Sequence, residues 1–349
     1  MAVQNKVQRV ENRIRRAILR GDYAVGSQLP AEYTFTERYH VSQRTVREAL
    51  IRLQNDGLVE RRHGSGTYIC DIKKVTNIAI VANIDTLSSS TGFFYRQLVD
   101  EARKNIETEY QSALWVGHGN DLPEFIQSIR LMDRSILKET IGILSTGGID
   151  ELEREFAKKD ISFVSIHLVV PRANYSVVLD YDELSKLGKN LLQEKGYDDF
   201  VLVHEQLPDT FGPPILRSKL EQMWLDIVDG DTDRTIVVPR ENNFQQAYNS
   251  FMRLWESPQR PRAIFFHDDV ICDVALRAIL ELGIRVPEEL MIVTHANAGR
   301  TFYFPMPLVR IEFDPKEAVA RAWNILRNLI HGRQVDEPVV FIKPHIIGK

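Results

Sequence analysis

Residues 41–50, VSQRTVREAL, decide the fold of the N-terminal part of the chain. Val46, Ala49, Leu50 and Leu53 recur at helical spacing and form one apolar stripe, whereas Gln43, Arg44 and Arg47 fall outside it, with Glu48 at its margin. Ser42 is a good N-cap, its hydroxyl able to accept a free backbone N–H of the first turn. The exposed early turns therefore carry amide and guanidinium donors. Such groups pair with adenine and guanine edges, and a helix N-terminus attracts phosphate. In an isolated helix the same residues make an ordinary solvated charged face, so the flanking sequence has to decide.

Working outward, Val10, Ile14, Ala17 and Ile18 give an earlier helical stripe, GSQLP (26–30) breaks it, and PAEYTFTERYH (30–40) starts a second helix with Pro30 near its first position. Asn55-Asp56-Gly57 stops the third helix. In LVERRHGSGTYI (58–69), two short runs flank the turn His63-Gly64-Ser65-Gly66, which predicts a β-hairpin. Three helices and a basic-rimmed hairpin make a winged helix. The stretch LPAEYTFTERYHVSQRTVREALIRLQNDGLVERRHGSGTYI (29–69) resembles the GntR-type transcription factors, whose recognition helix reads close to V-S-R-x-T-V-R-x-A-L. Val41, Ser42, Thr45, Val46, Arg47, Ala49 and Leu50 fit that pattern; Gln43 and Tyr33 stand where the family usually has arginine. The resemblance implies a double-stranded DNA partner with a palindromic operator. It also implies contact through Ser42, Gln43, Arg44, Thr45 and Arg47, and through Arg62, His63, Gly64 and Ser65 of the hairpin.

Charge points the same way. Residues 1–70 hold twelve Lys and Arg against seven Asp and Glu, a net +5, while the whole chain carries −4, which leaves −9 on the remainder. A basic module releases counterions on meeting phosphate, and the acidic remainder is repelled by the same duplex. Cys70 and Cys272 lie far apart without metal-ligand spacing, so reduced thiols and a cytoplasmic setting are expected. The N-terminal residues lack a secretory apolar stretch, and no run is long enough to span a bilayer.

CDIKKVTN (70–77) reads as a linker, giving a division into 1–70, 71–77 and 78–349. Beyond it the apolar runs IAIVA, SALWV, IGIL, ISFVSI, FVLV, TIVV, AIFF and LMIV alternate with amphipathic stretches such as ELSKLGKNLLQEKG and VICDVALRAILELG. Alternation of buried strands with helices predicts an α/β doubly wound parallel sheet, and the number of strands predicts two lobes. GFFYRQLVDEA (92–102), YSVVLDYDELSKLGKNLLQEKGYDDFVLV (175–203) and PRAIFFHDDVICDVALRAILELGIRVPEELMIV (261–293) resemble the effector domain shared by the lactose and galactose repressors and the ribose-type periplasmic sugar-binding proteins. Joined to a GntR-type head, the combination is similar to the arabinose repressors. The resemblance implies a dimer and a cleft lined by Asp85, Phe93, Phe94, Asp180, Arg217, Asp268 and Asp269. His295 and Asn297 stand in the segment Thr294-His295-Ala296-Asn297, where the family carries G-[YF]-D-D and this chain has lost the first acid.

Carboxylates and a guanidinium pair with adjacent hydroxyls and aromatic rings cover a sugar's C–H face, so a neutral sugar effector is expected. Other roles stay open: Phe93 and Phe94 as core, Asp180 as a helix cap, Arg217 as a surface residue, His295 as a packed histidine. No G-x-S-x-G elbow, Walker loop, H-E-x-x-H or complete G-x-G-x-x-G is present, and HGSGTYI sits in a hairpin. Adjacent residues such as His267, Asp268 and Asp269 at a strand end point in different directions, which disfavours a metal site. Neither an enzyme nor a cofactor is expected.

Overall fold

A computed structural model describes residues 2–19, 21–71, 77–83, 92–117, 140–146, 151–157, 161–207, 214–239, 243–258 and 260–348. The head consists of α1 (Ala2–Leu19), α2 (Glu32–Tyr39), α3 (Gln43–Asn55) and the hairpin β1 (Val59–Arg62) and β2 (Gly66–Ile69). The stripes of α1 and α3 meet in one core of Val10, Ile14, Ile18, Val46, Leu50 and Leu53, closed by Phe35 of α2 and by Leu58 and Ile69 of the hairpin. Pro30 lies one residue ahead of the α2 cap, Ala31, and not at the first helical position. The segment before α2 instead bridges to the hairpin through Gln28 and Tyr68. Between α2 and α3 the chain turns at His40, whose left-handed backbone (φ 52°) is stabilised by its N–H donating to Thr36 O.

The rest of the chain forms two six-stranded sheets. The first lobe holds β3 (Asn77–Asn83), β4 (Gln111–Gly117), β5 (Thr140–Ser145), β6 (Ser162–Leu168), β7 (Ser176–Leu179) and β13 (Val339–Ile342), in the order β13-β7-β6-β5-β3-β4, all parallel. The second holds β8 (Val201–Glu205), β9 (Thr235–Val238), β10 (Ala263–Phe266), β11 (Met291–Asn297), β12 (Val309–Phe313) and β14 (His345–Ile347), in the order β14-β12-β11-β10-β8-β9. Among the described residues its one antiparallel pairing is β12 with β14. The two parallel sheets agree with the reading of buried apolar runs, and β14 adds an antiparallel edge.

Helices α4 (Gly92–Ile106), α5 (Glu151–Ala157) and α10 (Pro315–Ile330) pack on the first lobe. Helices α6 (Tyr181–Glu194), α7 (Pro214–Ile227), α8 (Asn243–Glu256) and α9 (Asp269–Glu281) belong to the second. The chain therefore crosses between lobes after β7, again after β12, and a last time between β13 and β14. The carboxyl ends of β7 and β13 consequently lie at a lobe junction. One apolar cluster runs through that junction, from Ile80, Leu98 and Leu179 to Phe265, Val293 and Phe313.

Candidate functional site

On the head, the face of α3 opposite its buried stripe presents Gln43, Arg44 and Arg47 to solvent. Ser42 caps the helix as its sequence suggests: its Oγ accepts from the Thr45 N–H at 3.3 Å and lies 2.8 Å from Thr45 Oγ1. Thr45 is itself buried, so its hydroxyl braces the cap. Arg62 packs over the Tyr68 ring, 4.4 Å from its centroid, and donates to Glu60 at 3.1 Å. His63, Gly64 and Ser65 form the exposed tip; Gly64 has φ 71°, which glycine adopts without strain. Gln28 holds this tip by donating to Ser65 O at 2.7 Å.

Three residues of this face were not singled out from sequence. Glu32 accepts from Gln43, Arg47 and Arg61, and Tyr68 meets Ser65 at 2.7 Å. The Glu32 pairings join segments well apart in the chain, so only the fold brings them together, whereas Ser65 and Tyr68 face each other across the hairpin turn.

In open parallel sheets, ligands bind beyond the carboxyl ends of strands. At those ends in the second lobe the structure gathers Asp268, Asp269, His295 and Asn297. Asp268 caps α9, its Oδ1 accepting from the N–H groups of Val270 and Ile271, both at 2.9 Å. Burial, then the neighbouring Asp269, raises its pKa. Asp269 is buried, and burial raises its pKa against the opposing effect of Arg300, which donates to it at 3.2 Å, and of Asn297, which donates at 3.4 Å. Arg300 also lies 3.9 Å from Asp273 and over the Phe302 ring at 5.4 Å. Arg300 had no signal in the sequence, because the turn that returns it to Asp269 depends on Gly299 at φ 88°.

Behind the carboxylates lies a packed aromatic layer. Tyr181 sits with its ring centroid 5.7 Å from His267, 5.4 Å from His295 and 5.2 Å from Phe313. The Trp224 indole N–H donates to His267 Nδ1 at 3.4 Å; indole has no acceptor, so His267 carries its proton on Nε2 and donates to Ser185 Oγ at 3.1 Å. His204 stacks on Trp224 at 3.7 Å and donates from Nδ1 to Glu205 O at 2.9 Å. Burial lowers all three imidazoles: His204 to about 4, His295 to about 3 and His267 well below its ordinary value. His295 Nε2 has no hydrogen-bond partner among the described residues.

The remaining expected cleft residues that the structure describes stand on α4 and α7 and at the start of α6. Phe94 is buried in the junction cluster, edge-on to Tyr95 at 5.7 Å, whereas Phe93 is half-buried. Asp180 caps α6, accepting from the Glu183 N–H at 3.0 Å. Arg217 pairs along α7 with Glu221 at 2.9 Å. Asp85 lies outside the described residues. Among the described residues, Gln97 of α4 donates across the lobes to Ala298 O, beyond β11, at 3.1 Å. Among the described residues no His, Cys, Asp and Glu cluster suits a metal ion, and no helix is long and apolar enough to cross a membrane.

Comparison with known proteins covers both parts. Residues 6–69 match the profile of bacterial regulatory proteins of the gntR family, and residues 190–349 match that of the periplasmic binding protein-like domain. An uncharacterized HTH-type transcriptional regulator of Mycobacterium tuberculosis, Rv0494, is 42% identical over 74 residues, covering 21% of this chain and 31% of that protein. The HTH-type transcriptional repressor PurR of Escherichia coli O139:H28 is 26% identical over 132 residues, 38% of this chain and 35% of that protein. The chain thus spans about a third of the length of these curated relatives. Two solved structures share the fold: the transcription regulator CcpA of Lactococcus lactis (TM-score 0.57, 18% identity, 78% of this chain and 97% of that one) and the CelR–cellobiose complex (TM-score 0.58, 17% identity, 88% and 90%).

Proposed function

We propose that this chain, a gntR-type head joined to a periplasmic-binding-protein-like body, is a DNA-binding transcription regulator controlled by a small-molecule effector. Within that reading it is a cytoplasmic repressor of carbohydrate-utilisation genes, a homodimer, and not an enzyme. Its parts are a DNA-binding domain 1–70, a linker 71–77 and an effector domain 78–349. The observation that carries the reading is the exposed donor face of Gln43, Arg44 and Arg47 on a capped helix beside a basic hairpin. Gln43 and Arg47 reach base edges, whereas Arg44, Arg62 and the tip residues His63, Gly64 and Ser65 meet the backbone or minor groove. Two such heads in a dimer match a palindromic operator.

The effector site is the set Asp268, Asp269, His295 and Asn297, to which this reading adds Arg300 and Tyr181. A neutral sugar is the favoured ligand. Arg300 is already engaged by Asp269 and Asp273, so it offers little to a phosphate, while buried like charges penalise an added anion. The relative CelR, solved with cellobiose, lends this choice support through shared fold alone. Ligand binding changes DNA affinity by the coupling free energy between the two sites, and lobe closure would reach the Gln97–Ala298 contact.

Two measurements test the reading. Selection from a random duplex library should enrich one palindromic motif whose binding weakens steeply with salt. A thermal-shift panel of pentoses, hexoses, cellobiose and sugar phosphates should raise the melting temperature with a neutral sugar only. Enrichment of no motif sinks the DNA reading; a response to sugar phosphates alone sinks the neutral-ligand reading.

A further inference from the structure

The carboxylate of Glu32 is the meeting point of the head's DNA-facing donors. Gln43 donates to Glu32 Oε2 at 3.3 Å; Arg47 donates through Nη2 to Oε2 at 3.2 Å and through Nε to Oε1 at 3.5 Å; Arg61 of β1 donates to Oε1 at 2.9 Å. Glu32 opens α2, Gln43 and Arg47 stand on the first turns of α3, and Arg61 belongs to the hairpin. One side chain thus ties all three elements of the face together. The Glu32 side chain is only 17% exposed while Arg47 is 56% exposed, so the anchor is set back and the guanidinium projects beyond it.

A negative charge on this surface opposes phosphate binding, so Glu32 lowers general affinity for DNA. Its contribution has to be geometric. A guanidinium is a planar fork, and anchoring its Nε and Nη2 edge fixes the plane in which the remaining Nη1 donors point. A donor held in advance loses less side-chain freedom when it meets a base edge, and a wrong edge cannot recruit it by swinging it elsewhere. Holding Gln43 on the same carboxylate fixes the spacing between two readers, and holding Arg61 fixes the hairpin relative to both.

We propose that Glu32 is a positioning residue for sequence recognition: it acts through Gln43, Arg47 and Arg61 to set base preference and exchanges general DNA affinity for discrimination. The proposal rests on the DNA-binding reading above. Its test uses the full chain with two substitutions, Glu32→Gln, which keeps the size and removes the charge, and Glu32→Asp, which keeps the charge on a shorter arm. Each protein is taken through selection from a random duplex library, and its affinities for the wild-type motif and for a scrambled duplex are then compared. In Glu32→Gln the ratio of the two affinities should fall about tenfold, the scale of one base-edge contact. Affinity for the scrambled duplex should hold or rise, and Glu32→Asp should fall between the two proteins. An unchanged motif and ratio in Glu32→Gln would overturn the proposal. So would an equal loss on both duplexes, which would make Glu32 a support of the head's fold alone. If the wild-type chain itself enriches no motif, the DNA reading fails and takes this proposal with it; loss confined to Glu32→Gln separates the two.

Discussion

At the scale of single residues, what is legible in a sequence depends on how far away the partner lies. The exposure of Gln43, Arg44 and Arg47 follows from helical periodicity, and Ser42 caps from three residues away. The roles of Glu32, Arg61 and Arg300 are illegible by the same logic, since their partners arrive from other elements or around a turn. Arg47→Ala should cost about 1–3 kcal/mol of affinity for the selected operator and relax preference at one base pair, measured by competition binding. Gln43→Arg should move preference toward guanine at one half-site position, because its donors then match O6 and N7. In the second lobe, Arg300→Met leaves the Asp269 carboxylate, 7% exposed, without its cation. Breaking a buried pair from one side costs about 3–5 kcal/mol, which urea unfolding of the ligand-free protein should register. A loss below about 1 kcal/mol would mean that Asp269 is neutral without Arg300, because only a charged carboxylate carries that penalty.

Elements were legible where one pattern was strong. The runs IAIVA, IGIL, AIFF and LMIV became β3, β5, β10 and β11 because strands covered on both faces read as continuous apolar runs. The edge strands β13 and β14 were not among the runs read from the sequence: β13 carries the unbroken apolar run VVFI although it is partly exposed along most of its length, and β14 is a three-residue strand exposed throughout. The start of α2 was misplaced for a different reason. Pro30 suits a first helical turn, but the bridge from Gln28 to the hairpin keeps the chain extended through it. The turn after α2 lacks the glycine that usually marks a left-handed helix end, and His40 takes that conformation instead. His40→Gly removes a Cβ penalty of about 1–2 kcal/mol, partly offset by the greater freedom of glycine in the unfolded chain. The net should be a gain of about 0.5–1 kcal/mol in unfolding free energy with α3 docked as before. A fall in stability would show that the His40 side chain makes a compensating contact. Between α6 and β10 the tolerance runs the other way: a Cβ on Gly188 would meet Phe265 Cζ at 2.3 Å, so Gly188→Ala should destabilise the second lobe by about 1–3 kcal/mol.

At the scale of the whole molecule, charge and burial divide the labour. The head carries the excess of basic residues, while the acidic body buries a layer of polar side chains that water barely reaches. That layer makes stability depend on pH with a sign set by its histidines. His204 and His295, held at about 4 and about 3, and His267, held well below its ordinary value, stay neutral in the fold, and His167 in the first lobe, at about 3, behaves likewise. In the unfolded chain each titrates near 6.5, so below that pH the unfolded state binds the extra protons. Stability is then full above about pH 6.5 and falls as the pH drops, by up to about 1.4 kcal/mol per unit for each such histidine. The raised carboxyls of Asp268 and Asp269 work in the opposite direction, since the folded state takes up their protons first as the pH falls. The histidine window opens at about 6.5 and that of Asp268, raised to about 6, opens soon after, so this carboxyl offsets part of the histidines' loss below about pH 6. His295→Phe keeps a ring among Tyr181 and Phe313 and removes one titrating site. Whatever it does to absolute stability, the slope of unfolding free energy against pH between about 6 and 5 should be shallower than wild type by about 1.4 kcal/mol per unit. Urea unfolding at several pH values reads that slope directly. Equal slopes would mean that His295 takes up its proton in the folded protein as readily as in the unfolded chain, so that burial does not hold the ring neutral.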